Sequence, residues 1–242
     1  MHKYEIHLHS SGCSKCARST ASEMVRAAKK SGLSGIVFTN HFYRGNTAVS
    51  HRLSWEKFVG AYRDDYLEAA KLGASLSIDV IFAVEEHYDG GGHEALIYGL
   101  EPEDLISEPA LADMDIASLS HFVREKGGLI YCAHPFRDRP YIADPLAEPD
   151  MTLFDGIEVY NKFNTPETNE LAKRFAIRSG AAVIAGGDIH RAEDIGTSGL
   201  AFPERVRTSR ELVLALRGGN YSLLIDGDII EKEEYLKNVS DI

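Results

Sequence analysis

Residues 3–10 read KYEIHLHS, an apolar, strand-like run that ends in two histidines, His7 and His9, with one residue between them. Residues 182–190, AVIAGGDIH, repeat this arrangement with an aspartate and a histidine. Side chains two residues apart on a strand point to the same face, so each pair presents two polar groups together. The two stretches predict strands that end at a shared polar rim.

Short apolar runs of this kind alternate along the chain with longer amphipathic segments. Thr20 and Glu23 form a capping box before one predicted helix, and Thr165 with Pro166 begins another that ends at Gly180. Alternation of strands and helices predicts an α/β fold with parallel strands joined by helical crossovers. The predicted strands cover residues 4–8, 35–39, 80–84, 95–98, 129–133, 156–160, 182–185 and 221–225.

The length and the absence of linkers favour one domain. A chain of 242 residues suits a single α/β barrel, which typically has about 250 residues. No internal repeat and no Pro/Gly/Ser-rich linker divides the sequence. We expect one domain over residues 1–242, with residues 230–242 as a peripheral tail that is a solvated helix or a frayed end.

The composition excludes several classes of protein. The chain has 26 Lys and Arg against 37 Asp and Glu, a formal charge of -11, which disfavours extended nucleic-acid binding. Three cysteines do not form a disulfide framework, and no apolar window has the length of a signal peptide or a membrane span. These features predict a cytoplasmic protein without a membrane partner.

Histidines and carboxylates directly follow several of the predicted strands. In a parallel barrel the C-terminal ends of all strands meet at one face, so these side chains are expected to converge. Imidazole and carboxylate groups gathered at one place are typical ligands of divalent metal ions. The candidate ligands are His7, His9, His41, Glu85, His134, Asp188 and His190.

The same residues lie in motifs that resemble those of the polymerase and histidinol phosphatase (PHP) family of metal-dependent phosphoesterases. This resemblance implies a distorted (β/α)7 TIM-like barrel that holds two or three divalent ions, Mn, Zn or Fe, at its C-terminal face. The similar segments are HLHS at 7–10, TNH at 39–41, AVE at 83–85, AHP at 133–135, DGIEVYN at 155–161 and GGDIH at 186–190.

The resemblance also implies which residues hold each ion. By this likeness the first ion has His7, His9, Glu85 and Asp188, the second shares Glu85 and adds His134, and the third has His41 and His190.

Four features depart from the family pattern. Asn40 stands where the family usually has Asp, Ala83 replaces a Gly, and Ser10 replaces a Thr. Histidinol phosphatases have a further histidine after the first motif, whereas this chain has CSKC at 13–16. These differences argue against histidinol phosphate as the substrate.

Cys16 and Glu94 are two further candidate ligands. Cys16 with Cys13 is consistent with a redox pair, with a soft ligand of the third ion, or with two thiols in a loop. Glu94 precedes a strand near which the family often supplies a ligand of the second ion, and the neighbouring His93 is its rival. His87 carries no argument for a site.

A phosphate group needs cationic donors near the metal ions. Arg137, in HPFRDRP directly after a candidate ligand, is the best placed in sequence. Arg191, Arg44 and Lys162 are the other candidates for binding the substrate phosphate.

The sequence predicts hydrolysis of a phosphate ester at a di- or trinuclear metal site. It contains no GxSxG and no P-loop, so a metal-bound water held by the ligands above, among them His134 and Asp188, is the predicted nucleophile. The predicted substrate is a small-molecule or nucleotide phosphomonoester. The alternatives are a 5'-3' exonuclease, a protein phosphotyrosine phosphatase and a catalytically weak metal-binding regulatory module, and the oligomeric state stays open.

Overall fold

The computed structural model describes residues 1–237, which form a ten-stranded sheet and seven helices. The strands are β1 (His2–Leu8), β2 (Gly35–His41), β3 (Asp79–His87), β4 (Glu94–Tyr98), β5 (Leu129–Cys132), β6 (Gly156–Asn161), β7 (Val183–Gly186), β8 (Gly199–Phe202), β9 (Ser222–Ile225) and β10 (Asp228–Ile230). The helices are α1 (Ala21–Lys30), α2 (Trp55–Leu76), α3 (Pro102–Ile106), α4 (Ile116–Glu125), α5 (Pro166–Ser179), α6 (Ser209–Gly218) and α7 (Lys232–Lys237).

Helices α1 and α5 begin where their capping residues predict. The Thr20 side chain accepts a hydrogen bond from the Glu23 backbone N–H, and the Glu23 carboxylate accepts one from the Thr20 backbone. Thr165 caps α5 by accepting from the Thr168 backbone N–H, and Gly180 ends that helix in the left-handed conformation. These local signals define the helices that flank the sheet.

The sheet is mixed and curled. Its strand order is β10-β9-β8-β1-β2-β3-β4-β5-β6-β7, with β1–β2, β2–β3, β5–β6 and β6–β7 parallel and the other pairs antiparallel. A parallel bridge between Leu8 and Ile189 brings the segment after β7 against the end of β1. The α/β class is therefore confirmed, and the sheet has the shape of a curled half-barrel.

The prediction of parallel strands throughout is wrong for β4 and for β8 to β10. The connection 88–93 is too short for a helical crossover, so β3 and β4 pair antiparallel, with His87 opposite Glu94. As a result the first residue of β4 lies at the edge where β1, β2 and β3 end. Strands β8 and β10 were outside the predicted set because each is a short run with no clear alternation.

The apolar core holds this rim in place. Met24 and Val25 of α1 pack with Ile36 of β2 and Val80 of β3, all buried. Within residues 1–237, no helix combines the length and the apolar composition that a membrane crossing requires.

The predicted tail begins as structured chain. Residues 228–230 pair with β9, and Tyr235 of α7 packs against the core with the Lys173 ammonium 4.5 Å from its ring centre. Residues 238–242 of the predicted tail lie outside the described residues.

Candidate metal centre

One rim of the sheet brings together all seven residues predicted from the strand ends. Each lies in the last part of a strand or in the segment directly after it, and only His190 is more than slightly exposed. They are His7 and His9 (β1), His41 (β2), Glu85 (β3), His134 (after β5), and Asp188 and His190 (after β7).

Glu85 lies at the middle of this group. Its Oε1 is 3.2 Å from His7 Nε2 and 3.1 Å from His134 Nε2, and its Oε2 is 2.9 Å from His41 Nδ1. Several sets of three side chains here, such as His7, His9 and Glu85, have ligand atoms within 4.8 Å of one another. Such spacing allows one cation to contact three protein ligands.

Four buried atoms of this group lie within 3.5 Å of neighbouring candidate ligand atoms but make no hydrogen bond of suitable geometry among the described residues. They are His7 Nε2, His9 Nε2, His41 Nδ1 and Glu85 Oε2. The other ring nitrogen of His7 is engaged, since its Nδ1 lies 2.9 Å from Glu158 Oε1. Unpaired buried polar atoms cost free energy, so their convergence fits divalent cations that would accept these lone pairs.

The pKa shifts of the two carboxylates, Glu85 and Asp188, favour the charged forms that bind cations. Burial would raise the pKa of Glu85, but attraction by His7 and a second imidazole lowers it well below its usual range. Burial lowers the pKa of His9 to about 3, which leaves a neutral ring with a free lone pair. Burial would raise the pKa of Asp188, but Arg137 lowers it well below its usual range.

Burial would lower the pKa values of His7 and His41, but the neighbouring carboxylates raise both. Because deprotonated carboxylates and neutral imidazoles bind metal ions, the carboxylates and His9 are in the binding form, whereas His7 and His41 would release protons when an ion binds.

Glu158 of β6 supports two of the candidate ligands from behind. It accepts a hydrogen bond from His7 Nδ1, and its Oε2 accepts from the His134 backbone N–H at 2.9 Å and from Asn161 Nδ2 at 3.0 Å. A carboxylate behind a ligand imidazole fixes its tautomer and its orientation. The sequence predicts this strand but not the role of its carboxylate, for which the only signal is an acidic residue in an apolar run.

Replacing Glu158 with Gln is expected to weaken metal binding by about 10- to 100-fold, because an amide cannot accept all three hydrogen bonds. Titration calorimetry with Mn²⁺ measures this change. Glu148→Gln is the control, since Glu148 lies on the surface and pairs with Arg178. Equal Mn²⁺ affinity in the two variants would show that Glu158 does not orient ligands.

The residues that depart from the family pattern orient two further candidate ligands. Asn40 Oδ1 accepts from the Ser10 backbone N–H at 2.7 Å and from Ser14 Oγ at 3.0 Å. Ser14 Oγ also lies 3.2 Å from His9 Nδ1 and accepts from the His41 backbone N–H at 3.0 Å. An amide oxygen at position 40 thus organises the loop behind both imidazoles.

Two of the candidate ligands have a backbone conformation that is uncommon outside glycine. The φ angles of His134 and Asp188 are 27° and 53°. Such conformations cost free energy and persist where the surrounding structure imposes them, commonly at functional sites.

A cavity of about 800 Å³ opens beside the cluster. Its wall includes His41, Asp188 and Arg137, with the partly exposed rings of Tyr141 and Phe163 also lining it. Arg137 Nη1 donates to Asp188 Oδ2 at 2.7 Å, while its buried Nη2 has no hydrogen-bond partner among residues 1–237. A donor is therefore available next to the candidate ligands.

The other predicted phosphate-binding cations lie elsewhere. Arg44 Nε donates to the Ala112 carbonyl at 3.2 Å, and the exposed Arg191 lies 3.9 Å from Glu193. Lys162 Nζ donates to a backbone carbonyl and lines a separate cavity. Proximity in sequence to a ligand did not determine where these long side chains point.

Of the two residues proposed at the start of β4, Glu94 lies in the cluster. Its Oε1 is 3.1 Å from His41 Nδ1, and its Oε2 is 3.2 Å from His134 Nε2. His93 instead pairs with an aspartate of its own loop at 2.7 Å. His87, which the sequence analysis set aside, lies 2.6 Å from Glu94 Oε1, because the antiparallel register places the two residues opposite each other.

Cys16 also reaches the rim. Its Sγ lies 3.0 Å from His190 Nε2, whereas Cys13 is buried and contacts the Ala61 carbonyl. Burial would raise the pKa of Cys16, but contacts with His190 and His41 lower it to about 6. The two cysteines of the CSKC segment therefore have different surroundings.

One protein-family model matches a part of the chain. The model of the PHP-associated family matches residues 166–221, which run from the start of α5 to the residue before β9. No curated protein matches the chain in sequence.

Solved structures share the fold at low sequence identity. A two-domain protein from Bacteroides vulgatus that contains a predicted PHP-like metal-dependent phosphoesterase has a TM-score of 0.71 and 17% identity, over 97% of this chain and 68% of that one. PsfC from Pseudomonas syringae has a TM-score of 0.61 and 16% identity, over 93% and 92%. An amidohydrolase from Chromobacterium violaceum with bound sulfate and no metal has a TM-score of 0.57 and 15% identity, over 88% and 96%.

Proposed function

We propose that this chain, which a PHP-associated family model matches over residues 166–221, is a PHP-type metal-dependent hydrolase of phosphate esters, with phosphomonoesters as its substrates. The observation that carries the proposal is the set of buried imidazole and carboxylate atoms that converge next to a large cavity without forming hydrogen bonds of suitable geometry. A purely structural cluster would be expected to satisfy these atoms internally.

The proposed ligands divide into neighbouring positions that share residues. His7, His9, Glu85 and Asp188 would hold one ion, and Glu85 would bridge to a second held by His134 and Glu94. His41 and His190 would belong to a third. When bound, divalent ions of this kind lower the pKa of water and stabilise negative charge on phosphoryl oxygens.

The chain's own residues do the binding and the orienting. Glu158 holds the His7 ring so that Nε2 faces the cluster, and Ser14 does the same for His9. Arg137 Nη2 is the donor proposed to bind a phosphoryl oxygen, because it is buried, unpaired and in the cavity wall. The low-dielectric surroundings strengthen such a charge-assisted hydrogen bond.

Arg137→Ala is expected to raise KM and to lower kcat/KM by about 10- to 100-fold, since a hydrogen bond to a charged group contributes about 1.5–3 kcal/mol. Steady-state kinetics and metal content are measured on the same samples. Arg191→Ala is the matched control, because that exposed side chain does not line the cavity. Loss of bound metal from Arg137→Ala, in place of a higher KM, would assign Arg137 a structural role beside Asp188.

The proposed activity is tested with a panel of phosphomonoesters, dinucleotides and short oligonucleotides. Metal-stripped protein is resupplied with Mn²⁺, Zn²⁺ or Fe²⁺, and His9→Ala is the inactive control. Release of inorganic phosphate from monoesters supports the proposal. Stepwise release of mononucleotides would establish an exonuclease instead, and tight metal binding without any turnover would favour a regulatory module.

A further inference from the structure

Cys16 and His190 form a hydrogen bond through two atoms that can each bind a metal ion once the shared proton is lost. His190 Nδ1 lies 2.7 Å from the Asp188 carbonyl oxygen, which can only accept, so the ring proton of a neutral His190 is on Nδ1. The lone pair of Nε2 then faces Cys16 Sγ at 3.0 Å. Zn–S and Zn–N bonds are about 2.3 and 2.0–2.1 Å long, so the two donors of one tetrahedral ion lie about 3.5 Å apart, roughly 0.5 Å more than the separation of these two atoms.

A second observation places a ligand position beside this pair. Ligand atoms of His9, His41 and His190 lie within 4.8 Å of one another. His9 Nε2 and His41 Nδ1 are buried and make no hydrogen bond of suitable geometry among the described residues. The centre of the His9 ring lies 4.6 Å from that of His190 and 4.4 Å from that of His41, and the latter two are 6.3 Å apart.

The donors here differ in chemistry from those at the middle of the cluster. Around Glu85 and Asp188 the donors are imidazoles and carboxylates, which suit Mn²⁺ as well as Zn²⁺. Around Cys16 they are a thiol and imidazoles. Thiolate is a soft ligand that favours Zn²⁺ and Fe²⁺ over Mn²⁺ and Mg²⁺.

We propose that Cys16 is a thiolate ligand of a separate metal position, shared with His190 and His41, that selects a thiophilic ion such as Zn²⁺. The protein then holds two kinds of ion, with the carboxylate-rich positions free to take a harder one. This inference rests on the proposed function only in requiring that the cluster binds metal ions.

The position lies on the substrate side of the centre. Cys16, His41 and His190 line the large cavity, whereas His7 and His9 do not. Asp188 and Glu94 of the carboxylate-rich positions line the same cavity, so an ion held by Cys16 would face a bound substrate together with the neighbouring ions.

Cys13 provides a matched control within the same CSKC segment. It is buried against the Ala61 carbonyl, and burial and the nearby Asp65 carboxylate raise its pKa, so it is an inert thiol. Neither cysteine forms a disulfide in the described chain. Replacing Cys13 changes a thiol of the same segment without removing the proposed ligand.

The test uses Co²⁺ as a spectroscopic probe in the metal-stripped wild-type protein and in the Cys16→Ser, Cys13→Ser and Cys16→His variants. Bound Co²⁺ and Zn²⁺ are counted by elemental analysis, and circular dichroism verifies folding. We expect a near-ultraviolet thiolate-to-cobalt charge-transfer band in the wild type and in Cys13→Ser. Cys16→Ser is expected to lose the band and one equivalent of ion, and Cys16→His to regain the ion without the band.

Three results would overturn the inference. Bound Co²⁺ without a thiolate band in the wild type would exclude Cys16 as a ligand while leaving the proposed metal centre intact. A band that persists in Cys16→Ser or disappears in Cys13→Ser would assign the sulfur ligand elsewhere. Failure of Co²⁺ and Zn²⁺ to bind at all would reject the metal centre, and with it the proposed function.

Discussion

Glu85→Gln is expected to abolish phosphate-ester hydrolysis, with a loss larger than the roughly 100-fold upper end seen for residues behind metal ligands. The Glu85 carboxylate lies within 3.2 Å of His7, His41 and His134, which are proposed ligands of three different metal ions. Its negative charge is therefore close to all three proposed ion positions. Glutamine keeps the shape but removes the negative charge and one acceptor oxygen. Turnover at saturating Mn²⁺ and the number of bound ions measure the effect.

Glu86→Gln is the matched control for this variant. Glu86 is the next residue of β3, is equally buried, and accepts a hydrogen bond from the Arg44 backbone N–H on the opposite face of the strand. Burial raises its pKa to about 7, so a neutral amide replaces a group that is already partly protonated at neutral pH. A similar loss of turnover in both variants would indicate a general disturbance of β3 and would contradict a special role for Glu85.

Removing the metal ions is expected to lower the thermal stability of the protein as well as its activity. A ligand that binds only the folded state at 100 times its Kd contributes about 2.7 kcal/mol, so a chain of this length should lose roughly 5–10 °C in Tm on chelation. The physical reason is that removal of the ions leaves the buried carboxylates of Glu85, Glu94 and Asp188 near one another, with only the imidazoles and Arg137 to balance their charge. Scanning calorimetry with EDTA, and then with excess Mn²⁺, measures the shift.

The same scan on Glu85→Gln separates specific from nonspecific stabilisation. With the central ligand removed, the difference in Tm between EDTA and Mn²⁺ should largely disappear. An equal Mn²⁺-dependent shift in the variant would mean that the ions stabilise the protein at another place.

Much of the fold follows from local sequence signals. The strand ending in HLHS and the capped helices α1 and α5 were predicted because apolar runs and capping residues act within a few positions. The direction of β4 was not, since it depends on the length of the 88–93 connection and on pairing with two neighbours. Four-residue β8, GLAF, was missed because it has no β-branched residue, whereas the equally short β5, β7 and β9 each contain Ile or Val.

Some residues of the candidate site could likewise be predicted from the sequence, and others could not. Residues such as His7 and Asp188 could be proposed because residue type at a strand end indicates metal chemistry. Glu158 and His87 could not, because their roles arise from contacts with distant residues, His7 for the former and Glu94 for the latter. Side-chain direction likewise separated Arg137, in the cavity wall, from the other predicted cations.

The most direct test of the central claim is anomalous diffraction from crystals grown with Mn²⁺, with data collected on both sides of the manganese absorption edge. The account predicts anomalous peaks between His7, His9, Glu85 and Asp188, and between Glu85, Glu94 and His134. Crystals soaked in saturating Mn²⁺ that show no peak within this group, or peaks only at surface carboxylates, would contradict it.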